Sequence, residues 1–265
     1  MFFVNDVWVQ VDRYPDGTPR MNIGEVPDGA IIEWYFEKDE EMILFFIVSH
    51  LKERFAVKRL TLRMPYIPHA RMDRVKDEKE VFTLKYFCEF INSMGFEKVI
   101  VRDPHSKVSL DLLERAVQEP IGESIKGLAD RLLDPKKDMI FYPDEGSRKR
   151  YSGMVDFPCA YGVKKRDWDT GRISGLDAEG KIPAAPFDAL IVDDISSYGG
   201  TFLLSAKKLK ELGADKIYLY ITHCENSILE GELINSGLLE RIFTTRSIYS
   251  GNNKLIEVLG GRNDE

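Results

Sequence analysis

The stretch Ala189–Thr201, ALIVDDISSYGGT, sets two adjacent carboxylates, Asp193 and Asp194, directly before a turn of small residues. Leu190, Ile191 and Val192 read as a buried strand. Beyond Gly199, Gly200 and Thr201, the spacing of Leu203, Leu204, Ala206 and Leu209 predicts a helix. Backbone N–H groups of a Gly-containing loop at a helix N-terminus point at an anion, and the carboxylates ahead of it suit sugar hydroxyls or a metal. Together they predict a site for a phosphorylated sugar.

Other segments offer complementary chemistry. Arg71, Asp73 and Arg74 in MPYIPHARMDR follow a strand-like run and a Pro-containing turn, as ligand-binding loops at the carboxyl ends of strands do. The planar guanidinium groups suit phosphate; a solvated charged loop is the alternative. His105, after KVIVRDP, is a candidate metal or phosphate contact, or simply a satisfied polar residue. Asp144 in FYPDEGS is a candidate oxygen ligand for Mg²⁺ accompanying ATP phosphates, or an ordinary Asx turn. Lys164, Lys165 and Arg166 open a segment rich in Gly and charge. It reads as a lid or hairpin carrying cations to a transferring phosphoryl group, or as a solvated face.

The elements that must position these residues alternate. Strand-like runs (AIIEWYF, RLTLRM, KVIVRD, MIFYP, ALIVDD, KIYLYIT) are separated by helical patterns, which predicts an α/β fold of mostly parallel sheets flanked by helices. An internal repeat supports duplication: Gly95, Lys98 and His105 match Gly213, Lys216 and His223 at one constant offset, each set following a helical pattern and running into a strand. We expect two domains, 1–136 and 137–265, divided at the charged, Pro-containing LDPKK.

Composition narrows the partners. A formal net charge of −7 leaves no basic excess for general nucleic-acid binding. The run EMILFFIVSHL is too short to span a bilayer, and the first residues lack a basic leader, so a cytoplasmic protein without a membrane role is expected. Cys88, Cys159 and Cys224 lie far apart without CxxC spacing and suggest neither a zinc site nor a disulfide framework.

Taken in order, six segments resemble the phosphoribosyl pyrophosphate synthetase (ribose-phosphate pyrophosphokinase) family. RYPDGTPRMNI resembles its F-P/S-D-G-E loop, PYIPHARMDR its P-Y-x-x-Y-A-R-Q-D-R, and VRDPHS its V-D-L-H. YPDEGS resembles S-P-D-x-G-G, VKKRD the D-K-R-R lid base, and VDDISSYGGT the V-D-D-x-x-D-T-G-G-T loop. The resemblance implies two duplicated phosphoribosyltransferase-type (type I) domains. It also implies Mg²⁺-dependent transfer of the β,γ-diphosphoryl group of ATP to the anomeric hydroxyl of ribose 5-phosphate, with release of AMP, by a homo-oligomer.

Carried over by position, Tyr14, Asp16, Arg71 and Asp73 would be near ATP, and His105 and Asp144 near Mg²⁺. Lys164 and Arg166, with His105, would be catalytic. Asp193 and Asp194 would hold the ribose hydroxyls, and the loop Ser196, Ser197, Tyr198, Gly199, Gly200 and Thr201 would face the 5-phosphate. The nucleotide side would be residues 1–136 and the ribose and lid side 137–265.

Departures from the family pattern bear on substrate. Ser197-Tyr198 replaces Asp-Thr, and an aromatic ring cannot place its hydroxyl where a Thr does. A changed 5-end follows, for which ADP-ribose is the favoured acceptor, as in a divergent phage branch of the family that serves NAD re-synthesis; ribose 5-phosphate is the other. Thr18 and Met72 replace the family's Glu and Gln, which loosens the reading of the adenine site. A phosphoribosyltransferase shares the DD loop but lacks the RYPDG, HARMDR and DPH segments, and a non-catalytic regulator needs no lid cations.

Overall fold

Alternation of apolar and polar residues through LTLRM makes Leu60–Met64 a strand with Leu60, Leu62 and Met64 buried on one face. It belongs to the first of two compact units, Met1–Pro120 and Ile121–Glu265. The computed structural model describes residues 1–166 and 173–260, the side chains at 165, 166, 173 and 174 aside.

The first unit runs β1 (Phe2–Val4), β2 (Val7–Val9), β3 (Val11–Arg13), β4 (Pro19–Met21), β5 (Ala30–Trp34), α1 (Glu41–Arg54), β6 (Leu60–Met64), α2 (Thr83–Ser93), β7 (Lys98–Arg102), α3 (Lys107–Leu112) and β8 (Ala116–Glu119). Its six-stranded sheet has the order β2-β1-β5-β6-β7-β8. β5 to β8 are parallel, while β1 is antiparallel to both neighbours. The apolar run EMILFFIVSHL forms most of α1, and its length serves a buried stripe: Leu44, Ile47 and Leu51 pack with Ile32, Leu62 and Val101 in one core. Alternate residues of the same strands carry ions instead. Arg63 pairs with Glu33 at 2.9 Å and Glu119 at 2.8 Å, and Arg102 pairs with Glu119 at 2.9 Å.

The second unit runs α4 (Gly122–Leu132), β9 (Met139–Tyr142), α5 (Glu145–Tyr151), β10 (Cys159–Arg166), β11 (Ile173–Gly180), β12 (Phe187–Ser196), α6 (Gly200–Glu211), β13 (Ala214–Cys224), a short 3-10 helix (Asn226–Glu230), α7 (Glu232–Asn235), β14 (Arg241–Thr245) and β15 (Ile256–Leu259). The sheet order is β11-β10-β9-β12-β13-β14-β15, parallel except for β11. Both faces are covered. Phe202, Ala206 and Leu209 of α6 pack with Phe141, Ile191 and Leu219, while Ile125 and Leu128 of α4 pack with Tyr142, Leu190 and Val192. Burial on both sides is why β12 reads as a continuous apolar run rather than an alternating one.

The six strand-like runs of the sequence are β5, β6, β7, β9, β12 and β13. The duplicated segments are α2–β7 and α6–β13, and Gly95 (φ +61°) and Gly213 (φ +96°) follow the two helices in the left-handed region. The division into units differs from the expected 136/137. Helix α4 lies before LDPKK in the chain, yet its apolar face packs on the second sheet, so the units part at Pro120. The segment expected as a lid or hairpin includes the antiparallel pair β10–β11, with Lys164 opposite Leu176. The small hairpins β1–β2 and β3–β4 have no counterpart among the strand-like runs.

Candidate functional site

β9 and β12 are parallel neighbours, with Ile140 opposite Leu190 and Phe141 opposite Ile191. Their carboxyl ends therefore bring Asp144 and Asp193 to one edge of the sheet, where open α/β sheets bind ligands. Asp144 caps α5: its carboxylate accepts from the Ser147 N–H at 3.0 Å. The Ser147 hydroxyl reaches Asp193 Oδ1 at 2.6 Å, and Asp193 Oδ1 also accepts from the Asp194 N–H at 3.0 Å. About one turn further along α5, Arg150 Nη1 lies 3.1 Å from Asp194 Oδ2.

These contacts separate two chemically identical neighbours. Asp194 is buried and ion-paired, whereas Asp193 is half-buried. Burial, and then the charge of Asp194, pushes the Asp193 carboxyl up to about 7. The hydrogen bonds from Ser147 and the Asp194 N–H oppose that rise.

The chain then turns into α6. Gly199 sits at φ +80°, and a Cβ there would stand 2.8 Å from Leu233 Cδ2, so only glycine fits. Gly200 starts the helix with open space beside it. The cap residue, Gly199, has no side chain to offer, and the first N–H groups of this 12-residue helix are suited to an anion. Ser196 and Ser197 are turned into the loop itself: Ser196 Oγ donates to the Ser197 carbonyl at 3.1 Å, and Ser197 Oγ to Glu225 at 2.8 Å. Tyr198 is 59% exposed. Thr201 lies in the first turn of α6 and is half-buried.

In the first unit, Arg71 and Asp73 follow β6, and His105 follows β7, so the carboxyl ends of adjacent parallel strands carry all three. Asp73 pairs with Arg74 at 3.1 Å. Asp103, just ahead of His105, holds φ +38°, a conformation non-glycine residues rarely adopt. Tyr14 and Asp16 form the tip between β3 and β4. Asp16 accepts from the Thr18 N–H at 2.9 Å, which holds its carboxyl below the usual range. Tyr14 lines a cavity of about 570 Å³ with Thr18, Arg20, Phe46 and His50; Arg71, Asp73 and His105 do not line it.

Lys164 is exposed on β10, and the Arg166 side chain lies outside the described residues, as does that of Lys165. Among the described residues no group of three or more His, Cys, Asp or Glu is arranged to hold a metal. Mg²⁺ needs only one or two protein oxygens when phosphates and water complete its shell. The Asp144 carboxylate, whose cap bonds end on Oδ1, has the donor chemistry for that. Cys88 and Cys224 are buried, and that burial pushes both thiols up to about 12 and favours the protonated form near neutral pH. No helix among the described residues is long and apolar enough to cross a membrane.

Sequence reasoning misses Ser147, Arg150 and Glu225. Ser147 is visible inside YPDEGS, and its place at the third helical position after Asp144 is the available signal.

No protein-family model matches the chain. Curated relatives do. The chain is 29% identical over 255 residues to a ribose-phosphate pyrophosphokinase of Bacillus subtilis, covering 93% of this chain and 79% of that protein. It is 26% identical over 228 residues to one of Pyrococcus furiosus, covering 81% and 77%. In fold it is similar to phosphoribosylpyrophosphate synthetase from Mycobacterium smegmatis, with TM-score 0.78, 18% identity and coverage of 96% and 87%. With 96% of this chain covered, the likeness in fold extends over both units. In sequence the chain is thus similar to ribose-phosphate pyrophosphokinases, and in fold to a phosphoribosylpyrophosphate synthetase.

Proposed function

We propose that the protein transfers the β,γ-diphosphoryl group of ATP to the anomeric hydroxyl of a 5-phosphorylated ribose and releases AMP. The observation that carries this reading is the pair Asp193 and Asp194 set at the end of β12, ahead of the Gly-bounded start of α6. Carboxylates accept from ribose hydroxyls, and helix N–H groups donate to the oxygens of a 5-phosphate. The ribose-phosphate pyrophosphokinases among its relatives support the same reaction.

In-line attack on a phosphorus needs positioning and charge neutralisation and little covalent chemistry from the protein. The anomeric hydroxyl belongs to a hemiacetal and is more acidic than an ordinary alcohol, so no dedicated general base is assigned. Lys164 and Arg166 are proposed to stabilise the transferring group, with His105 a further contact. Tyr14, Asp16, Arg71 and Asp73 are proposed on the nucleotide side. Mg²⁺, when bound, neutralises phosphate charge; Asp144 is proposed to hold it in the second unit and His105 in the first. Assembly as a homo-oligomer belongs to the same proposal.

A second reading takes ADP-ribose as the acceptor. Two observations favour it: the exposed Tyr198 ring where the resembled loop has Thr, and the Glu225 carboxylate bonded to Ser197. A phosphodiester carries less charge than a monoester beside a carboxylate, and an exposed ring can stack on a base. The experiment is incubation with ATP and Mg²⁺, offering ribose 5-phosphate and ADP-ribose separately, with AMP and product mass measured. AMP formed with one acceptor identifies it. No acceptor-dependent AMP would overturn the diphosphoryl-transfer reading.

A further inference from the structure

Ser147 is fixed by a hydrogen bond that does not involve the sugar clamp: its N–H caps onto Asp144 Oδ1 at 3.0 Å. Its hydroxyl is 2.6 Å from Asp193 Oδ1 and 3.3 Å from Asp144 Oδ1. A hydroxyl has one proton to give, and the shorter contact receives it. Ser147 is buried, so the bond is shielded from bulk water. Both hydrogen bonds to the Asp193 carboxylate, from Ser147 Oγ and from the Asp194 N–H, end on Oδ1.

We propose that Ser147 is a positioning residue of the acceptor site: by holding Oδ1 it fixes Asp193 with Oδ2 as the oxygen that accepts from a ribose hydroxyl. The terminal torsion of an aspartate is broad and roughly two-fold, so an untethered carboxylate samples many orientations. Tethering one oxygen removes that freedom before the sugar arrives, which strengthens binding without a new contact to the sugar. Arg150 acts similarly on Asp194, about one helical turn away on α5. The inference rests on the proposed ribose acceptor.

The test is calorimetric binding of ribose 5-phosphate, of its 2-deoxy and 3-deoxy analogues and of ADP-ribose to the wild type, Ser147→Ala and Ser147→Gly. Both variants are expected to bind ribose 5-phosphate about three- to tenfold more weakly, with kcat changed less than about twofold. For one deoxy analogue, the one lacking the hydroxyl that Asp193 accepts from, variants and wild type should bind alike. Equal ribose 5-phosphate affinity in wild type and variants would overturn the positioning role alone. The same loss with both deoxy sugars would do so too, since it indicates a general structural defect. A wild type that binds neither ribose 5-phosphate nor ADP-ribose would overturn the acceptor reading and this inference with it.

Discussion

Arg150 Nη1 stands 3.1 Å from Asp194 Oδ2, an ion pair between the last turn of α5 and the carboxyl end of β12, with 25% and 7% of the two side chains exposed. The pair lets two adjacent carboxylates coexist at a mostly buried edge, because one of them is neutralised by the helix that follows the neighbouring strand.

Removing that cation takes away the neutralising charge beside Asp194. Arg150→Ala is expected to lose about 2 kcal/mol of stability, between the small value of exposed pairs and the larger one of buried pairs. Urea denaturation measures it. Combining Arg150→Ala with Asp194→Asn should recover part of the loss.

The raised Asp193 carboxyl makes stability depend on pH. Between the ordinary Asp value and about 7, the folded state binds more protons at this residue than the unfolded state does. The contribution is therefore fully present in acid and is lost as pH rises through about 7. Asp193→Asn removes it. Relative to wild type, the variant should gain on the order of 3 kcal/mol on going from about pH 4 to about pH 7.5, read as the difference between two urea titrations.

Gly199 and Gly200 should respond oppositely. Ala at 199 meets both a left-handed backbone and Leu233, so Gly199→Ala should cost roughly 1–3 kcal/mol. Ala at 200 enters open space and a helix it favours, so stability should change by less than about 0.5 kcal/mol. If the N–H groups there hold a phosphate, Gly200→Ala should still raise KM for the acceptor. Thermal melts and acceptor titrations together separate the two effects.

Local signals carry much of this site. Two carboxylates after an apolar run, and glycines before a helical pattern, are legible because strand, turn and helix start are neighbours in sequence. The contacts that tune the site are not. Ser147 meets Asp193 across 46 positions and Ser197 meets Glu225 across 28, pairings that exist only once β9, β12 and β13 lie side by side. The boundary between units differs from expectation for the same reason: the amphipathic pattern of α4 shows a buried face without saying which sheet covers it.

Lys164 is exposed on β10, where stability places little demand on it. A cation that meets charge developing in the transition state lowers kcat when removed and leaves ground-state binding nearly unchanged. Lys164→Ala should therefore reduce kcat by roughly a hundredfold or more, with KM changed less than about threefold. Equal changes in both would assign Lys164 to binding.

Substitution of Tyr198 tests the proposed choice between acceptors. Its ring is 59% exposed, so substitution by Thr creates no cavity and should leave stability within about 0.5 kcal/mol. With ADP-ribose as the natural acceptor, Tyr198→Thr removes a stacking surface worth roughly 1–3 kcal/mol and should raise KM for ADP-ribose about tenfold or more. The same change gives a hydroxyl to the loop and should lower KM for ribose 5-phosphate. A variant whose KM values for both acceptors match wild type would show that the ring contacts neither, and would leave the Ser197–Glu225 contact as the loop's departure to test next, by Glu225→Gln against the same two acceptors.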